Sequence, residues 1–404
     1  RGRLREHVKL FVNDAEASLD TRVAAGDELH IVPAISGGSP TDPGEADREA
    51  ELLVGTRKGL FVLRGRRGGP MRIVARKFPG EAVEYAIRDP RTGTCYASVT
   101  NLQFGPHLFI AGDPAGGWEE ADGPAFPEGT DAAVSQIWAI EPGVEDDVLW
   151  AGVAPAALFR SSDRGRTWEL NRPLWDEPTR PKWEGGLGGL CLHSVCPWPG
   201  DADRLAVGIS AAGVWLSEDG GRSWRRGVRG LVSRYLPEEA RADTLSFCIH
   251  NMKRAAREPT TLYMQFHGGL YRSDDAGESW IDIGTDRGVP SDFGFPLALD
   301  PTDPNRAFVI PLVADVDRVT PDGRVRVYET RDRGKSWSAL GDGLPDEHAY
   351  LTVLRQAFGT DGANPLGLYF GATSGELFGS ADGGASWSTI ASRLPPILSV
   401  RASL

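Results

Sequence analysis

The chain has 404 residues, 44 basic and 56 acidic side chains and a formal net charge of −12, a balance that argues against a protein built to hold nucleic acid or anionic lipid. Forty per cent of the residues are apolar, enough for a sizeable core, and no apolar run approaches the ~18 residues that a membrane span needs. A disordered chain and a membrane-spanning one are both excluded, and the length fits two or three domains or one large all-β domain.

Four cysteines (Cys95, Cys191, Cys196, Cys248) with no CxxC pair do not form a disulfide framework, so reduced thiols and a cytoplasmic location are expected. The sequence opens at Arg1 with neither Met nor a signal-peptide pattern and reads as a fragment whose true N-terminus is missing. The 50 Gly, 29 Pro and 12 Trp point to many short strands, tight turns and a repeated large aromatic.

In chain order, two alternating strands come first, Val8–Val12 and Glu28–Val32, followed by Pro-Ala-Ile-Ser-Gly-Gly. The stretch GDELHIVPAISGG resembles the end of a ubiquitin-like sulfur carrier, the family of the molybdopterin-synthase small subunit and the thiamine sulfur carrier. The resemblance implies that residues 1–38 are the C-terminal part of a β-grasp segment. It also implies that Gly37 and Gly38 are the tail converted to a thiocarboxylate, with an adenylating sulfur-transfer enzyme as partner. Two glycines let such a tail thread into an active site without side-chain clash. Because Ser39 follows Gly38, sulfur transfer requires cleavage there; the other reading is a degenerate adaptor joined to the rest of the chain. Residues 39–50, SPTDPGEADREA, read as a linker.

From residue 51 the chain repeats. An eight-residue pattern, Ser/Thr-x-Asp-x-Gly-x-x-Trp, occurs intact at Ser161–Trp168, Ser217–Trp224, Ser273–Trp280, Thr330–Trp337 and Ser380–Trp387, with a decayed copy at Ala111–Trp118. Successive Asp positions from Asp113 to Asp382 lie 50, 56, 56, 57 and 50 residues apart. Each copy follows an apolar strand pair such as LWAGVAPAALFR, and Leu52–Leu63 shows the pair without the motif, which makes seven units. The pattern predicts a hairpin turn: Asp accepts hydrogen bonds from turn amides, Gly takes a backbone angle that strains other residues, and Trp buries a large ring.

These motifs resemble the Asp-box (BNR) repeat family, which includes sialidases and other propeller glycosidases, over about Leu52–Leu404. The resemblance implies an all-β, seven-bladed β-propeller over residues 51–404, with four-stranded antiparallel blades. It places the C-terminal segment Ile397–Ser403 as the innermost strand of blade 1, closing the ring. It also sets the motif turns on the face away from the binding site, so Asp163, Asp219, Asp275, Asp332 and Asp382 are scaffold.

The opposite face is then the functional one, and the long segments Glu169–Gly189, Arg225–Thr244 and Leu312–Arg324 elaborate it. Cys191-Leu192-His193 and Cys248-Ile249-His250 share one register in consecutive units. Residues i and i+2 of a strand point the same way, so the two Cys and two His form a candidate Zn²⁺ site against the alternative of inter-blade packing. Arg57, Lys58, Glu84, Asn101, Gln136, His267, Tyr350 and Arg355 are expected at the same mouth, with Trp183 as a stacking surface for a sugar. The loop acids Asp176, Glu184, Asp243 and Glu347, together with Tyr350, are the candidates for catalysis. An Arg-Ile-Pro motif and a recognisable arginine triad, which a sialidase would carry, are absent from the sequence. Three readings stand: a binding module for a small-molecule, carbohydrate or protein partner; a glycoside hydrolase or lyase at the channel mouth; and a sulfur carrier released after Gly38.

Overall fold

The structure, a computed structural model, describes residues 8–12, 15–17, 21–22, 29–33, 48–241, 245–284 and 286–404. The chain divides into two compact units, Arg1–Asp47 and Arg48–Leu404. In the first, Val8–Val12 lies between Ala15–Ala17 and Leu29–Pro33 in a three-stranded antiparallel sheet. Ala15–Ala17 is too short to show alternation in the sequence, which is why only the two longer strands were legible. Gly37, Gly38 and residues 39–47 of the expected linker lie outside the described residues.

The second unit is nearly all β. Five four-stranded antiparallel sheets open with Ala82–Arg88, Gln136–Pro142, Cys191–Trp198, Ile249–Arg254 and Gly294–Leu299, and each runs on through the next three strands in sequence order. A sixth sheet has eight strands. In it a meander opening with Val353–Thr360 joins a second one made of Ile397–Ser403, Glu49–Thr56, Gly59–Arg66 and Met71–Lys77. The joint is a single parallel pair, Gln356 with Ser399, whereas Ile397–Ser403 pairs antiparallel along Glu49–Thr56. The opening strands of successive meanders touch one another in order, and Ile397–Ser403 touches Ala82–Arg88. No helix among the described residues is long and apolar enough to cross a membrane.

Composition explains this layering. Second and third strands such as Leu262–Phe266 and Gly213–Ser217 are buried at every residue, because each sheet is covered on both faces by its neighbours, and they read as continuous apolar runs. Fourth strands such as Glu169–Leu170 are short and largely exposed, which leaves little free edge. Between sheets the backbones approach closely: a Cβ on Gly152 would stand 2.4 Å from the Leu192 carbonyl oxygen.

The five intact motifs fold alike. In the first, Gly165 N–H donates to Ser161 Oγ (2.8 Å), Ser161 Oγ donates to Asp163 (2.8 Å), and Asp163 accepts from Thr167 N–H (2.9 Å) and Thr167 Oγ (2.6 Å). These bonds hold the Asp163 carboxyl below the usual carboxylate range despite partial desolvation. The decayed copy has Ala111 where the hydroxyl belongs, and Asp113 turns instead to Arg64 and the Ala115 amide. Two of the indoles bridge to the preceding sheet's outer region, Trp280 Nε1 donating to Gly227 O (2.9 Å) and Trp337 Nε1 to Ile283 O (2.7 Å), whereas Trp168 and Trp387 donate to the glycine carbonyl of their own motif. The motif glycine of the fourth copy, Gly334, sits at φ +77°, and a Cβ there would stand 2.6 Å from Ile283 Cβ. Gly334→Ala is therefore expected to destabilise the protein by at least about 2 kcal/mol, read as a lower midpoint in urea at unchanged slope.

Candidate functional site

Each opening strand breaks register, and Cys191–Trp198 does so a second time between Pro197 and Trp198. The other breaks fall between Val83 and Tyr85, Ile137 and Ala139, Leu192 and Ser194, Ile249 and Asn251, Gly294 and Leu297, Val353 and Phe358, and Ile397 and Ser399. A bulge releases a side chain from the strict in–out alternation and re-aims it. The residues so released include Glu84, Trp138, His250, Phe295, Leu354, Arg355, Gln356 and Leu398, all of which line one cavity of about 1120 Å³. The three long segments complete the wall with Lys182, Glu184 and the following glycine-rich turn, with Tyr235, and with Asp315 and Arg318. None of the motif hairpins contributes to the lining.

Glu84 is a half-buried acid of the cavity wall. Burial pushes its carboxyl up to about 7, with Arg57 pulling the other way. Its Oε2 is buried without a hydrogen-bond partner, and so is Nε1 of Trp138, the corresponding residue of the next sheet. Arg355 crosses the floor: its Nε donates to His250 O (2.6 Å), and its guanidinium lies 4.8 Å from the centre of the Trp138 ring. Arg318 covers Phe295 at 5.1 Å.

Beside Arg355 stand Cys248, His250 and His267, whose ligand-capable atoms all lie within 4.8 Å of one another. His250 Nδ1 is 2.8 Å from Gly294 O, which can only accept, so the ring hydrogen is on Nδ1 and Nε2 carries a lone pair. Phe295 stacks on this ring at 4.6 Å. Burial, with repulsion from Arg355, holds His250 neutral, and burial pushes the Cys248 thiol up. Ser210 Oγ lies 3.1 Å from Cys248 Sγ, and Asp315 lies 3.9 Å from His267 Nε2.

This is not the Cys/His set expected from register. His193 occupies the equivalent bulge, but its ring is turned into the neighbouring strand, with Nε2 2.7 Å from Ile249 O and Nδ1 3.0 Å from Ser194 Oγ. Both nitrogens are thus engaged and the residue is only 1% exposed, so it cannot act as a ligand. Cys191 is buried as well, its thiol pushed up to about 11 by burial. His267, across the hairpin from Cys248, takes the place given to them.

Of the other expected residues, Arg57, Glu84, Gln136, Glu184, His250, His267 and Arg355 line the cavity. Trp183 does not: it packs 5.3 Å from Trp215 in the core, and its exposure of 6% leaves no face for a sugar. Asn101 caps its own turn, accepting from the Gln103 and Phe104 amides, and Lys58 sits exposed in a neighbouring turn. Asp176 ends a short helical turn in an exposed pair with Arg172, and Glu347 and Tyr350 are exposed away from the lining. Asp243 lies outside the described residues. Sequence reasoning missed Trp138, Tyr235, Phe293, Phe295, Asp315 and Arg318. Aligning every unit on its Cys-x-His position would have brought out Trp138 beside Glu84 and His250.

No protein-family model matches the chain. Among curated proteins it is similar to an oligoxyloglucan-reducing end-specific xyloglucanase of Emericella nidulans, 26% identical over 222 residues, which cover 47% of this chain and 25% of that protein. A xyloglucanase of Paenibacillus sp. is 31% identical over 140 residues, 31% of this chain and 12% of that protein. The chain therefore spans a quarter or less of the length of these relatives. Among solved structures, an ancestral GH74 enzyme superposes with a TM-score of 0.51 at 16% identity, covering 77% of this chain and 39% of its own. The fold is a β-propeller.

Proposed function

We propose that residues 51–404 form a seven-bladed, glycoside-hydrolase-like propeller that takes a carbohydrate into the central cavity and hydrolyses it there. The antiparallel pairing of Ile397–Ser403 with Glu49–Thr56, and the circular order of contacts among opening strands, support ring closure by the C-terminal strand. The Asp-box hairpins, absent from the cavity wall, are scaffold in this reading. The binding module that sequence alone put first gives way to the hydrolytic reading, because the xyloglucanase relatives favour it.

The observation that carries the proposal is Glu84. A carboxyl that burial pushes up to about 7 is still half protonated at neutral pH and can donate a proton to a glycosidic oxygen. The second carboxylate of such a pair comes from the cavity wall, Glu184 or Asp315. Trp138 and Tyr235 offer the aromatic surfaces that Trp183 does not. The full chain, incubated with xyloglucan oligosaccharides and aryl glycosides, is expected to release reducing ends. Saturable binding without turnover would restore the binding-module reading.

For residues 1–38 the sulfur-carrier reading rests on the Gly37-Gly38 tail; the linker of this scheme is cut back to 39–47, because Glu49 and Ala50 already pair within the strand Glu49–Thr56. Intact mass of the protein from its native cell tests it, since a chain uncut between Gly38 and Ser39 rules out release. Four unpaired buried cysteines support a reducing compartment such as the cytoplasm.

A further inference from the structure

We infer that Cys248, His250 and His267 form a binding site for one divalent cation of the Zn²⁺ class, with three protein ligands and a fourth position open to the cavity. The inference does not depend on the hydrolytic reading. All three ligands come from one hairpin. Cys248 directly precedes the strand Ile249–Arg254, and the bulge at His250 turns its ring into the same cavity that Cys248 lines. Ile249 pairs with Phe266, which sets His267 opposite Cys248, and the His267 amide donates to Cys248 O at 3.1 Å. The ligand atoms are thereby gathered within 4.8 Å at the open end of the strand pair Ile249–Arg254 and Leu262–Phe266, with His267 in the turn that follows.

His250 and Cys248 also have outer partners of the kind that orients metal ligands. Gly294 O fixes the His250 tautomer so that Nε2 presents its lone pair. Ser210 Oγ can donate to the Cys248 sulfur, and Asp315 stands behind His267. One sulfur and two imidazoles suit Zn²⁺ and its borderline neighbours and exclude Mg²⁺ and Ca²⁺, which require oxygen. Binding transfers the Cys248 proton to solvent, and the cation then provides the counter-charge for the thiolate that burial alone disfavours. Thiolate plus divalent cation leaves one positive charge beside Arg318 and Arg355, so the open position selects an anion, hydroxide or a ligand carboxylate.

Co²⁺ added to the metal-free full chain is the probe. The expected result is a thiolate-to-cobalt charge-transfer band that saturates at one equivalent and is displaced by Zn²⁺. Cys248→Ser abolishes the band, His267→Gln weakens Co²⁺ binding at least about tenfold, and Cys191→Ser leaves both unchanged. Circular dichroism of each metal-free variant checks the fold; should Cys248→Ser not fold, His267→Gln in its partly exposed turn decides. A wild-type chain without the band, or one whose band and affinity survive substitution at both positions, overturns the site.

Discussion

Replacing Glu84 by Gln is expected to lower kcat/KM on a hydrolysable glycoside by about 10²–10⁴-fold, the range for losing a positioned general acid. The amide keeps the shape and the hydrogen-bonding capacity but has no proton to give, so oligosaccharide binding by calorimetry is retained. In the wild type the acid must be protonated, so activity falls as pH rises through about 7. Stability supplies an independent reading. The folded-state value lies above the ordinary carboxyl value of about 4.5, so between about 4.5 and about 7 the folded chain holds a proton that the unfolded chain releases. Unfolding free energy therefore decreases as pH rises across that window. The Gln variant loses this dependence and is more stable than wild type above pH 7, by on the order of 1–3 kcal/mol.

Asp361→Ala is expected to destabilise the protein by about 3–5 kcal/mol, the effect of stranding one member of a buried ion pair. Asp361 Oδ2 is 2.6 Å from Arg67 Nε, with both side chains almost wholly buried. The same carboxylate accepts from the Ala363 and Gly367 amides at 3.0 and 2.8 Å. Arg67 follows the strand Gly59–Arg66 near the start of the propeller, whereas Asp361 follows Val353–Thr360 near its end, so the pair ties together the two meanders of the eight-stranded sheet. Guanidinium denaturation reads the loss. A change below ~1 kcal/mol would show that this joint contributes little to holding first and last units together.

The repeated architecture was legible because each unit writes the same turn chemistry at the same spacing. Asp163 and its four counterparts need a hydroxyl two residues before and a glycine two residues after, and those requirements survive in sequence. The decayed copy at Asp113 was also readable, because Trp118 keeps its separation after Ala111 has lost the hydroxyl. The cavity was legible only in part. Glu84, His250, His267 and Arg355 were reachable from register. Trp183 misled because an aromatic between Lys182 and Glu184 looks exposed, yet the segment folds back and buries the ring against Trp215. His193 misled for a subtler reason: bulges at equivalent positions release the side chain, but which neighbour it then meets depends on the adjacent strand. Asp315 and Arg318 come from an insertion within one unit, where no repeat gives a register to read.

The most direct measurement is a crystal structure of the full chain soaked with a xyloglucan oligosaccharide. Sugar rings lying across Trp138, with a glycosidic oxygen within hydrogen-bond reach of Glu84, are the predicted result. Sugar seated among the tryptophan hairpins, with the central cavity left to solvent, would contradict the account.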